Sequence, residues 1–272
     1  MRKTELAALM QRAEAVAVAS YLEASPQLAA GAGAAVARFR GITCLGVRRV
    51  EEPFLNRALG FGTIAEATPS LLDRIERHYA SIGRPPRVTE AVGHTPRAAI
   101  RLLERRGYAR VEGSDEMIYG YLRRKRPAIP GVPGLTIERA GPDDADRYAA
   151  VAYESFKERG PIFKEIVAAL LRDARRRRSL FAYLARIDGE PAATGMLFDV
   201  RPVGGLGNGS VRAKFRGRGI QTALIAYRMS MGWDRGLRYF FGQTQNPISA
   251  HNLEELGWRL LYTEVDWIRS AR

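Results

Sequence analysis

A single cysteine, Cys44, stands in 272 residues, so there is no partner for an internal disulfide and no multi-cysteine metal site. A buried, small apolar side chain is the expected role of that thiol. Histidine is almost as scarce. His78, His94 and His251 lie far apart and show none of the paired spacings of metal ligands, so no metal is expected. No run approaches the ~20 apolar residues that cross a bilayer. Glu5, Gln11, Arg12 and Glu14 break up the N-terminal stretch, so no signal-peptide core is expected there. These shortages lead to the expectation of a reduced, cytoplasmic protein with no membrane partner.

Lysine is short as well. Only five of the 43 basic residues are lysine, and the formal net charge of +14 is carried by arginine spread along the chain. Such charge suits nucleic acid, acidic lipid or an anionic small molecule. The runs Arg123–Arg126 and Arg175–Arg178 are not interleaved with stacking aromatics, and no recognised nucleic-acid module accompanies them. A phosphate-rich small molecule is the better match for the charge, and nucleic acid the poorer one.

What the chain does carry is the stretch Val211 to Leu224, Val-Arg-Ala-Lys-Phe-Arg-Gly-Arg-Gly-Ile-Gln-Thr-Ala-Leu. It reads as a strand end, an Arg/Gly loop and a helix, because Ile220, Ala223, Leu224, Tyr227 and Met231 recur at helical spacing. The first turn holds no carboxylate and is preceded by Arg216 and Arg218. Gly217 and Gly219 let a ligand come close to the main chain. Unpaired amides at the positive end of a helix favour a phosphate or pyrophosphate. A surface turn uses the same residue types, so the flanks have to decide.

Upstream, Leu180–Ile187 reads as a strand, Asp188-Gly189 as a hairpin turn, and Pro191–Val200 as the return strand. Downstream come a short strand at Tyr239–Phe241, the polar segment Gln243–Pro247, then Ser249–Leu256 leading into Gly257-Trp258 and a last strand, Leu260–Ile268. This order over residues 134–272, with Arg216, Gly219 and Gln221 in the loop, resembles the GCN5-related N-acetyltransferases (GNAT). The family's loop pattern is Arg or Gln, two residues, Gly, one residue, then Gly or Ala, so Gln221 departs from it. The implied fold is a mixed α/β sheet.

The length fits two domains, each large enough for its own core. Residues 1–122 read as a helix from Arg2 to about Leu22, two short strands within 36–50, a turn-rich connection over 53–62, a helix over 70–82, a strand at 87–92, a helix at 96–106 and a strand at 110–122. Residues 123–134, with three prolines and two glycines, form the linker. Residues 135–272 make the second domain, opening with a strand at 135–139, a helix after Pro142 and another over 164–178. An echo recurs at a displacement of 150 residues: Leu103-Glu-Arg-Arg-Gly-Tyr108 lines up with Leu253-Glu-Glu-Leu-Gly-Trp258. The same displacement carries the Arg/Gly loop onto Glu66-Ala-Thr-Pro-Ser70, which has no phosphate-cradling glycines. Two tandem GNAT-like domains are expected, the first degenerate and the second holding the cofactor.

The resemblance implies transfer of an acetyl group from acetyl-CoA to an amine acceptor. It places the exposed strand edge near Val211 and Ala213, and the pyrophosphate on Arg216, Gly217, Arg218, Gly219, Ile220 and Gln221. Asn246 and Asn252 are the polar positions best placed to touch the cofactor arm, and turn or cap chemistry would account for them equally well. No catalytic residue is assigned. Leu253 stands where the family often has the tyrosine that protonates the thiolate, and Glu154, Glu158, Asp199 and Glu264 are all open as bases. Two other classes stay in view: a non-catalytic acyl-CoA-binding or sensing protein, and a basic nucleic-acid binder. Neither the acceptor nor the oligomeric state is written in the sequence.

Overall fold

The computed structural model describes residues 3–24, 30–122, 125–156, 160–173 and 178–270. The chain divides into two compact units, Met1–Ile118 with Leu260–Arg272, and Tyr119–Arg259. The sequence placed the boundary at the linker, whereas the last strand of the chain is built into the first unit.

In the first unit α1 (Lys3–Glu23) precedes β1 (Ala34–Phe39), β2 (Ile42–Val47) and the two-residue β3 (Ala58–Leu59). Then come α2 (Pro69–Ser81), β4 (Arg87–Ala91), α3 (Arg97–Arg105), β5 (Ala109–Arg110) and the start of β6 (Glu116–Tyr121). The strand expected over 110–122 is interrupted by a turn at 111–115. The sheet order is β1-β2-β3-β4-β12, where β12 is the final strand (Arg259–Ile268), and β5 also pairs with β12. Pairing is antiparallel except between β3 and β4. Ile42, Cys44, Phe61, Leu72, Ile75 and Tyr79 form the middle of the core. Burial pushes the Cys44 thiol up to about 12, which suits an inert packing residue.

The second unit runs β7 (Leu135–Ala140), α4 (Ala145–Ser155), α5 (Gly160–Asp173), β8 (Leu180–Ile187), β9 (Glu190–Val200), β10 (Val203–Val211), α6 (Ile220–Asp234), β11 (Tyr239–Thr244) and α7 (Pro247–Glu255). Its strand order is β11-β10-β9-β8-β7, antiparallel except for the parallel β10–β11 pair. Asp188 and Gly189 both take positive φ, 50° and 83°, as the two-residue hairpin between β8 and β9 requires. Only the end of β10 was foreseen, because its four glycines deplete the strand signal. Two of them make room for rings: a Cβ on Gly204 would lie 2.7 Å from Phe240, and one on Gly205 2.6 Å from Phe241.

The 150-residue echo extends to the elements. α3 and α7 begin and end at positions that differ by that displacement, and α2 starts within a residue of where it would place α6. The linker residues 125–134 hold no regular element. They run beside α6, with Arg126 bonded to Ser230 (2.9 Å) and Asp234 (2.8 Å).

Candidate functional site

The site begins where β10 leaves β11. Parallel pairing covers Val203↔Tyr239 to Leu206↔Gly242 and then stops, although both strands continue. From Gly207 onward β10 keeps only β9 beside it, so its other edge has main-chain groups outside any ladder. Val211 ends the strand, and its carbonyl accepts from the Arg216 Nε (3.2 Å) and the Ser155 hydroxyl (3.4 Å). Ala213 lies in a 3-10 turn with Lys214 and Phe215, not on a strand edge. The divergence expected near Val211 and Ala213 therefore starts farther back, at Gly207.

The Arg/Gly loop follows. Arg216, Gly217, Arg218 and Gly219 are exposed, while Ile220 is buried in the core and anchors the helix start. Gly217 and Gly219 take φ of 75° and 74°, and Gly219 occupies the cap position of α6 with no side chain capping it. Among the described residues the Arg216 amide bonds to Ala213, and the next main-chain bond is Ala223 to the Gly219 carbonyl. The six amides from Gly217 to Thr222 thus have no main-chain acceptor. A Cβ on Gly217 would meet nothing within 4 Å, so the approach to these amides is open. Neighbouring charge is positive on balance: Arg218 lies over the Phe215 ring, and Lys214 and Arg212 both bind Glu190. Hydrogen bonding from Lys214, then its charge and that of Arg212, holds the Glu190 carboxyl below its ordinary value. Such a cup of bare amides and arginines fits a diphosphate.

The corresponding helix of the first unit is closed off. α2 has Thr68 as its cap, whose hydroxyl accepts from the Leu71 amide at 3.2 Å, and Pro69 follows with no amide to offer. Local capping chemistry thus separates the two helix starts.

The remaining candidates scatter. Asn246 caps α7, accepting from the Ile248 (2.9 Å) and Ser249 (3.3 Å) amides, so its oxygen is engaged locally. Asn252 lies half-buried on the same helix. Leu253 is buried core, 7% exposed. Glu154 pairs with Arg212, and Asp199 with Arg201 and Arg235. Glu264 belongs to the first unit, buried beside Arg57 and Gln11. Glu158 lies outside the described residues, as do parts of the two arginine runs. Tyr262 packs edge-on against His94, also in the first unit. Sequence reading missed Arg228, which is 2% exposed and donates to the carbonyls of Leu224 (3.1 Å), Met196 (3.0 Å) and Gly207 (3.2 Å). An arginine on the apolar face that includes Leu224 was the available signal.

Residues 119–243 match the family model described as an acetyltransferase (GNAT) domain. Over those residues the chain is similar to a GNAT acetyltransferase domain. The fold agrees with solved structures of that kind. A GCN5-related N-acetyltransferase from Kribbella flavida superposes with a TM-score of 0.63 at 17% identity, covering 93% of this chain and 96% of the other. A tandem GNAT protein from the clavulanic acid biosynthesis pathway gives 0.60 at 17%, over 79% and 75%. A GCN5-related N-acetyltransferase from Sphaerobacter thermophilus gives 0.57 at 18%, over 79% and 73%. No curated protein matches the chain. The GNAT fold supports an acetyltransferase function, and the cup lies within the matched residues. Among the described residues no helix is long and apolar enough to cross a membrane, and no group of three or more His, Cys, Asp or Glu could hold a metal.

Proposed function

We propose that this chain transfers an acetyl group from acetyl-CoA to the amine of a small molecule in the cytoplasm, with the second unit, Tyr119–Arg259, holding the donor and the first unit holding none. The observation that carries the reading is the run of bare amides from Gly217 to Thr222, framed by Arg216 and Arg218. The thioester supplies an activated acetyl group for a neutral amine. The amides from Gly217 to Gln221 hold the diphosphate, with the positive end of α6 behind them. The unpaired edge of β10 from Gly207 pairs with the donor's arm, and one of its amides steadies negative charge on the carbonyl oxygen. Glu154 and Asp199 are both held by arginines, and no catalytic acid or base is assigned among the described residues.

Titration calorimetry with CoA, followed by thiol release from acetyl-CoA with a panel of amines, tests this. Binding with thiol release is expected, and the absence of heat with CoA would overturn it. A second reading, an acyl-CoA-binding or sensing protein without turnover, draws on the buried Leu253 in the place of a thiolate acid. CoA binding with no acetylation of any amine would favour that second reading.

A further inference from the structure

We propose that Asn208 and Gln221 form a carboxamide pair that reads the amide groups of the donor's pantetheine arm, so that Asn208 is a donor-binding residue outside the Arg/Gly loop. The inference rests on the acyl-CoA reading above.

Asn208 is the second residue after β10 has lost its ladder to β11. There the register with β9 jumps from Gly207↔Met196 to Ser210↔Thr194, so Asn208 and Gly209 together face the single residue Gly195. Such a bulge re-aims a side chain and commonly marks a functional edge. Asn208 takes φ of 51°, a left-handed conformation that asparagine tolerates better than most residues. Both polar atoms of its carboxamide, Nδ2 and Oδ1, are shielded from solvent and have no hydrogen-bond partner.

Gln221 is in the same condition. Its Oε1 is buried without a partner. Its Nε2 lies against the bulge, since a Cβ on Gly209 would be 3.0 Å from it. The glutamine that departs from the family's small residue therefore folds back toward β10 instead of covering the loop. The polar groups around the bulge are already committed: the Thr194 and Ser210 hydroxyls bond each other at 2.6 Å, and Arg228 donates to Gly207 and Met196.

Three orphaned polar atoms, two on the bulge residue Asn208 and one on the glutamine that lies against Gly209, cost stability, and buried unsatisfied groups of this kind call for an explanation. The donor/acceptor pattern narrows the ligand. Two carbonyl oxygens need N–H donors and one NH2 needs an acceptor. A phosphate or carboxylate would serve only the NH2, and a cation only the oxygens. A pair of secondary amides serves all three, and CoA carries two amides in its pantetheine arm and none in its nucleotide end.

The test compares CoA with 3′-phosphoadenosine 5′-diphosphate, which keeps the diphosphate and lacks the arm, by calorimetry on the wild type and on Asn208→Gly. The variant removes two orphaned atoms and suits the positive φ, so its melting temperature should rise. Its affinity for CoA should fall about tenfold, the scale of one lost hydrogen-bonded group, while that for the diphosphate stays unchanged. Asn208→Asp, which keeps the shape and removes the NH2 donor, should weaken CoA in the same selective way and serves if the glycine variant misfolds. Equal weakening of both ligands, or unchanged CoA affinity in a folded variant, overturns the proposal and leaves a structural or water-bridged role. If the wild type binds neither ligand, the acyl-CoA reading falls and this inference with it.

Discussion

Arg57 and Glu14 form a salt bridge whose side chains are only 4% and 2% exposed. The same guanidinium lies 3.5 Å from Glu116 and 3.5 Å from Glu264. Gln11 donates to Glu264 at 2.9 Å and accepts from the Thr63 hydroxyl. One cation thus serves three carboxylates drawn from α1, β6 and β12 of the first unit. Burial is the largest effect on Glu14 and raises its carboxyl to about 7 against the pull of Arg57, and it raises Glu264 well above the ordinary range.

That arrangement makes the first unit sensitive to alkali. A raised pKa means that the folded form keeps a proton that the unfolded form releases near the ordinary value of 4.5. The stabilising contribution is complete below that value and is lost as pH rises through about 7. Glu14→Gln removes one of the two raised carboxyls, so melting temperatures measured from mildly acid to mildly alkaline buffer should fall less steeply than in the wild type. A wild-type profile as flat as that of the variant would refute the assignment.

Removing the cation should be worse than removing one anion. Arg57→Met leaves Glu14, Glu116 and Glu264 facing one another in a buried space. Breaking a buried pair from one side costs about 3–5 kcal/mol, read as a lower urea midpoint. Combining Arg57→Met with Glu14→Gln should recover part of that loss, because one of the three carboxylates, and with it two of the three repulsive pairs, is then gone. Strict additivity in the double variant would contradict a shared network.

Gly217→Ala and Gly219→Ala test the cup. Space is not the obstacle, since a Cβ at 217 meets nothing within 4 Å and one at 219 only Val132 at 3.7 Å. The strain is in the backbone, where φ of 75° and 74° costs an alanine about 1–2 kcal/mol. Each variant should lose stability on that scale and bind CoA more weakly in calorimetry. Thr68→Ala, which uncaps α2, should cost about 1 kcal/mol and leave CoA affinity untouched. A loss of CoA affinity in the Thr68 variant would undo the distinction between the two helix starts.

Those two helix starts also show what could be read in advance. Gly217, Gly219 and Thr68-Pro69 announce an open and a closed terminus, because their chemistry acts within a few residues. The periodic helices and the Asp188-Gly189 hairpin were legible for the same reason. β10 was not, since Gly204, Gly205, Gly207 and Gly209 lack strand-forming side chains, and Gly204 and Gly205 are explained only by Phe240 and Phe241 arriving from β11. Glu264 was set down as a candidate base. Its burial beside Arg57 depends on β12 joining the first unit, a long-range pairing that no local pattern encodes. Asn208 carried no signal in the sequence, because the bulge that sets it apart is a matter of the register between β9 and β10.

Arg228 offers the last test. From α6 it reaches the Met196 carbonyl on β9 and the Gly207 carbonyl on β10, and it closes back on Leu224 in its own helix. It therefore fixes the bulge to the helix that carries the cup. Arg228→Met keeps much of the volume but removes the donors from two buried strand carbonyls, each loss worth about 1–3 kcal/mol. Gly195→Ala attacks the same contact from the sheet, because a Cβ there would lie 2.7 Å from the guanidinium carbon. Both single variants should lower the urea midpoint and weaken CoA binding. In the double variant the shorter methionine relieves the clash, so the combined loss should be smaller than the two losses added. Additive losses would mean that Gly195 and Arg228 are not in contact, and the guanidinium would have to be placed elsewhere.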